Sequence, residues 1–187
     1  MGYQAKVDLG TILVEDSEGT KWRLYAIAMV LSHSRYKYIR WYDRPPTTRD
    51  FIAFHEMAFN YYGGIPEEII FDQDRLLIVR ENLGDIVYTE DFERYRQQAR
   101  FKIYICRSAD SESKGRGEAV VKFVKQNFAK HREVTTIEAF NTECLAWLER
   151  TENGKVHATT KKKPADLFTQ ERAYLRPVHQ KIKNNTS

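Results

Sequence analysis

Ala5-Lys6-Val7-Asp8-Leu9-Gly10 is the stretch on which the reading of this chain turns. Apolar Ala5, Val7 and Leu9 alternate with Lys6, Asp8 and Gly10, the period of a strand with one face on a core. Asp8 therefore falls in mid-strand. Strand interiors are poor in Asp, and an ionised carboxylate there needs a metal, a cation or several donors to offset its desolvation. Asp8 is accordingly read as one wall of a metal site, and the question becomes which later acids join it.

Downstream, Glu15-Asp16-Ser17-Glu18-Gly19 is a hairpin turn signal. Trp22 to Leu31 reads as a second strand, Ser32-His33-Ser34 breaks it, and Tyr36 to Tyr42 resumes as a third, with aromatic and basic residues alternating. The three make an antiparallel meander. After Pro45-Pro46, Thr47 or Thr48 caps a helix in which Phe51, Phe54, His55, Ala58 and Tyr62 share one face, ending at Gly63-Gly64. Glu68-Ile69-Ile70-Phe71 then reads as a short buried strand, with Asp72 at its end. Strand, helix, strand implies a right-handed crossover. If the fourth strand lies beside the first, Asp8 and Asp72 meet beyond the carboxyl end of a parallel strand, where open α/β sheets bind ligands.

Leu76 to Tyr88 reads as a small hairpin or excursion, and Thr89 caps a helix from Glu90 to Arg100 with Phe92, Tyr95 and Ala99 on one face. Lys102 to Cys106 is a fifth strand, Ser108 to Gly117 a mobile loop, and Glu118 to Lys130 a helix whose buried stripe is Val120, Val124 and Phe128. A helix from Ile137 to Arg150 is expected to bury Phe140, Leu145 and Leu148, and a short one follows at Ala165 to Arg172.

The chain of 187 residues, 42% hydrophobic and 30% charged, suits one soluble domain, divided here into a core over 1–150 and a basic extension over 151–187. No apolar run approaches the roughly 20 residues that span a bilayer and no signal-peptide pattern follows Met1-Gly2, so no membrane association and a cytoplasmic location are expected. Cys106 and Cys144 are far apart with no histidine in zinc spacing, and read as reduced thiols. Net charge is +4, and residues 150–187 alone hold nine Lys or Arg against three acids, leaving the body faintly acidic. That division suits carboxylates acting on a nucleic acid held by a cationic flank; the plain alternative is a solvated tail.

Glu118 begins its helix among lysines, with Lys122 and Lys125 on its face and Lys114 and Arg116 just before it. Alone, Glu118 and Lys122 make an exposed i,i+4 pair worth roughly 0.3–0.5 kcal/mol. With Asp8 and Asp72, Glu118 completes three hard oxygen ligands of the kind that select Mg²⁺ or Mn²⁺, and two such ions can drive phosphodiester displacement. His157-Ala-Thr-Thr-Lys161-Lys162-Lys163 could contact phosphates without reading sequence, or be a solvated linker. His33, His55, His131, His157 and His179 show no metal spacing and are read as core or surface residues. Gly115 and Gly117 lack the lysine-serine context of a P-loop.

Gln4 to Gly10, Ile70-Phe-Asp72-Gln-Asp74, Ser113 to Phe128 and Val156 to Pro164 together, in this order and spacing, resemble the IstA-type insertion-sequence transposases of the retroviral-integrase-like group. The likeness runs from about Gln4 to Pro177. It implies an α/β, RNase H-like fold with a central mixed five-stranded sheet flanked by helices. It also implies a DDE triad of Asp8, Asp72 and Glu118, with cleavage and joining of DNA ends. As partners it implies transposon-end and target DNA, a AAA+ helper ATPase, and further copies of the chain on DNA. The usual Asp-Asn at the second acid is here Asp72-Gln73-Asp74, so Asp74 is a rival ligand; Asp72 is preferred because it closes the apolar strand. Helix-turn-helix domains before the core and a further domain after it are expected in the full protein. The competing functions are a nuclease of this fold that cuts without joining, and a noncatalytic DNA-binding or assembly module.

Overall fold

The computed structural model describes residues 1–72, 89–106 and 120–178. The expectations for 76–88 and 108–117 lie outside these described residues. Three strands, β1 (Gln4–Glu15), β2 (Lys21–Leu31) and β3 (Lys37–Tyr42), form the expected meander. The first hairpin is longer than the quoted stretch: β1 continues through Ile12 and Val14, and Asp16 closes the turn by accepting the Thr20 N–H at 2.8 Å and the Trp22 indole N–H at 3.0 Å.

Helix α1 (Thr48–Tyr62) starts on a capping box, in which the Thr47 hydroxyl accepts the Asp50 N–H and the Asp50 carboxylate accepts the Thr47 N–H. It ends at Gly63, whose φ of 72° is the left-handed conformation that glycine adopts without a Cβ penalty. β4 (Glu68–Asp72) then enters parallel to β1, and after α2 (Glu90–Ala99) β5 (Lys102–Cys106) enters parallel to β4. The sheet order is β3-β2-β1-β4-β5, with β1 at its centre and buried on both sides.

Each face of the sheet carries its own core. Ala5, Val7, Leu9, Ile69 and Phe71 pack beneath Phe51, Phe54, Ala58 and Tyr62 of α1 and Phe92 of α2. On the other face, Leu24, Ala26, Ala28 and Trp41 meet Val121 and Val124 of α3 (Val120–Asn127) and Phe140, Cys144 and Leu148 of α4 (Ile137–Leu148). The stripe of α4 differs from expectation in one position. Cys144 is fully buried and Leu145 only half-buried, because 140, 144 and 148 keep to one line and the Trp41 indole N–H donates to the Cys144 sulfur at 3.3 Å. Burial pushes that thiol up to about 12.

Two asparagines grip the outer edge of β3. Asn141 of α4 accepts the Trp41 N–H at 2.6 Å and donates to the Trp41 carbonyl at 2.9 Å. Asn153, in the π-helical turn Glu149–Asn153 that prolongs α4, does the same for Lys37 at 2.8 and 2.9 Å. The chain beyond 150 packs on the same body through α5 (Pro164–Glu171). The buried Glu171 carboxylate accepts the Gly2 N–H at 2.9 Å and the Ser34 N–H at 3.1 Å, and Leu175 joins the core beneath α1.

Candidate active site

The register of two strands sets the geometry. Val7 of β1 stands opposite Phe71 of β4, and both point into the core under α1. One residue further along each strand come Asp8 and Asp72, so alternation turns both carboxylates to the opposite face, on strands spaced roughly 4.8 Å apart. Asp8 is 5% exposed in mid-strand, whereas Asp72 is half-buried at the last position of β4.

Helix α3 closes over this pair. The Asp8 Oδ2 accepts the backbone N–H of Val121 at 2.9 Å, in the first turn of α3. That donor is one of the N-terminal N–H groups without a partner inside the helix, and the positive end of the helix dipole favours an anion there. Gly10, one turn of the pleat beyond Asp8, makes the close approach possible: a Cβ at this position would lie 2.7 Å from Val121 Cγ1.

Glu118, together with Lys114, Arg116, Asp74 and His179, lies outside the described residues. Thus Asp8 and Asp72 are brought together, while the third acid and the rival ligand have no described position. Among the described residues no group of three His, Cys, Asp or Glu side chains gathers to hold a metal ion. Both described acids offer only oxygen donors, which is the donor chemistry of a hard divalent ion.

Of the expected DNA-contacting cations, Lys122 is exposed and Lys125 half-buried on α3. Lys161, Lys162 and Lys163 are exposed on a tight turn, where the His157 N–H donates to the Lys162 carbonyl and the Lys161 N–H to the His157 carbonyl, each at 2.9 Å. One feature escaped the sequence. A cavity of about 340 Å³ beside α3 is lined by Arg35, Lys37, Glu152, Lys155 and His157. Its only trace is the alternation of aromatic and basic residues over 36–42, which says nothing of the segment after α4 that completes it.

His55 plays no part here. It is fully buried in a shell of aromatic rings, with ring centroids at 4.7 Å to Phe51 and 5.3 Å to Phe92, as expected for a core histidine.

No protein-family model matches the chain. Among solved structures, the catalytic core domain of BIV integrase superposes with a TM-score of 0.61 at 11% identity, over 93% of this chain and 98% of that one. The HTLV-2 integrase catalytic core domain in complex with magnesium superposes with a TM-score of 0.58 at 12% identity, over 89% and 96%. The fold is therefore the RNase H-like fold of the integrase catalytic cores. In sequence, the chain is 46% identical over 178 residues to a transposase for an IS21-like insertion sequence element of Bacteroides fragilis, covering 95% of this chain and 34% of the relative. The chain is thus similar to a transposase of an IS21-like element over nearly its whole length, and it spans about a third of the length of that relative.

Proposed function

We propose that this chain is the catalytic core of a DDE DNA transposase, which cuts DNA at element ends and joins them to a target. The observation that carries the reading is the parallel β1–β4 register, which sets Asp8 beside Asp72, in a chain 46% identical to an IS21-like transposase. Asp8, Asp72 and Glu118 are the catalytic and metal-holding residues, for two Mg²⁺ or Mn²⁺ ions. Asp8 is assigned to both ions, Asp72 to one and Glu118 to the other. When bound, such ions activate a water or 3′-hydroxyl and stabilise the leaving oxygen of the phosphodiester. The Val121 N–H fixes the rotation of the Asp8 carboxylate, so the ligand set is partly preorganised before metal or DNA arrives.

DNA is the substrate, its phosphates met by Lys114, Arg116, Lys122 and Lys125 around α3 and by Lys161, Lys162 and Lys163. Residues 1–150 form the catalytic core and 151–187 a basic extension. The partners are further copies of the chain on DNA and a AAA+ helper ATPase, and the compartment is the cytoplasm. Among the described residues no helix is long and apolar enough to cross a membrane.

Crystals of the chain soaked in Mn²⁺ test the site. Anomalous density at roughly 2.1 Å from carboxylate oxygens of both Asp8 and Asp72 is expected; a map with no density shared by the two acids would sink the metal assignment. Supplied with duplex ends carrying a free 3′-hydroxyl, the protein is expected to give joined products, whereas hydrolysis alone would mark a nuclease that cuts without joining. Metal-independent DNA binding with neither reaction would mark a noncatalytic module.

A further inference from the structure

We propose that the turn closing α3, from Lys130 to Arg132, is a further contact for the DNA backbone, so that a duplex lying over the acid pair is held along the whole length of this helix. This rests on the nucleic-acid reading above and adds to it a patch of other residues, remote from the helix start.

Helix α3 leads away from the acids. Its first turn donates to Asp8 through the Val121 N–H, and its last turn runs into the 3-10 turn Ala129–His131. At helical rise the path from Val121 to Arg132 is roughly 15 Å, the axial length of about four phosphates of one strand. Lys122 and Lys125 stand along the first part of that path, and Lys130 and Arg132 at its end.

The far end is anchored. Phe128, Ala129 and Val134 are buried in the core on the α3 side of the sheet, and the turn packs against β1. The His131 N–H donates to the Phe128 carbonyl at 3.1 Å and the Arg132 N–H to the Ala129 carbonyl at 3.3 Å. Above them, the Arg132 guanidinium lies over the Phe128 ring, 5.1 Å from its centroid. Such a contact positions a cation without neutralising it.

The charge at this end is left to act outwards. Lys130, His131 and Arg132 are all exposed, and among the described residues no ion pair engages Lys122, Lys125, Lys130 or Arg132. The acids next in sequence are Glu133 and Glu138, and Glu138 stands in the first turn of α4, where a helix start favours a carboxylate. A helix end favours a cation in its last turn, but Lys125 already occupies that place in α3. Lys130 and Arg132 lie beyond it, so the helix dipole does not account for them. Paired with a rigid turn, two outward cations suit a phosphate backbone.

The test is binding of a fluorescent DNA duplex across a series of salt concentrations by the parent chain, Lys130→Gln, Arg132→Gln and the double variant, with each fold checked by circular dichroism. Each single change is expected to lower the slope of log Kobs against log salt by about 1, and the double change by about 2. Arg132→Lys, which keeps the charge, is expected to retain the parent slope. Losses of equal size on duplexes of different sequence are expected, and a loss confined to one sequence would mark a base contact and overturn the assignment to the backbone. Unchanged slopes in the double variant, with salt-dependent binding by the parent, would overturn this contact alone. A parent chain that binds no duplex would overturn the contact and the nucleic-acid reading together.

Discussion

At the scale of single residues, two buried ionisable groups on opposite faces of the sheet have opposite consequences. Asp8 lies against a helix start, where it accepts the Val121 N–H, so Asp8→Asn keeps the side-chain shape and removes the carboxylate. Strand cleavage is expected to fall by more than the roughly 10–100-fold that follows loss of an outer-shell partner, with duplex affinity retained; cleavage at the parent rate would refute the role of Asp8. His55 instead stays neutral. Its Nδ1 lies 2.8 Å from the Phe51 carbonyl, its Nε2 has no partner among the described residues, and desolvation lowers it to about 4. The unfolded chain takes up a proton near pH 6.5 that the folded chain refuses, so stability falls with pH from about 6.5 down to about 4, by about 3 kcal/mol in all. Asp50, held at about 2 chiefly by Arg44, works in a lower window: its contribution is present above pH 3.8 and disappears as pH drops towards 2. Urea titrations of the parent and of His55→Phe at pH 8 and pH 4.5 separate the two. The variant is expected to lose less stability on acidification, and parallel losses would exclude His55 as the source.

At the scale of elements, the contact between β1 and α3 is where sequence and structure inform each other most. The strand, the crossover helix with its Thr47 cap and Gly63 stop, and the parallel return of β4 were legible because each follows a local rule of period, capping or handedness. Asp8 and Asp72 were therefore legible as neighbours. The donor to Asp8 was not, since nothing local to β1 announces a backbone N–H 113 residues later. Nor was the Arg35 pocket, whose lining comes from segments more than 100 residues apart. Leu145 misled because the leucine looked like the better core residue, whereas the line through Phe140 and Leu148 and the Trp41 indole both selected Cys144. Gly10→Ala tests the β1–α3 contact. Its methyl group would press on fully buried Val121, at a cost of about 1–3 kcal/mol for overpacking. Chemical denaturation should show that loss together with reduced cleavage, and an unchanged midpoint would mean that α3 yields freely.

At the scale of the whole molecule, the segment beyond 150 closes the body described here. Cutting the chain after Arg150 removes the Glu171 acceptors of two backbone donors, at about 1–3 kcal/mol each, and the burial of Leu167 and Leu175, at about 1.5–3 kcal/mol each. Set against a typical total of about 5–15 kcal/mol, that loss is expected to abolish a cooperative thermal transition. A sharp melt in the truncated chain would contradict it. The two asparagines on β3 have a further consequence, for association between copies. An outermost strand ordinarily offers a row of N–H and C=O groups on which another chain can crystallise a strand of its own. Here Asn141 and Asn153 already occupy those of Trp41 and Lys37, four residues apart along the rim. A second copy approaching this margin meets two amides already seated on the strand, so the rim offers fewer open groups on which to continue the sheet from one copy to the next.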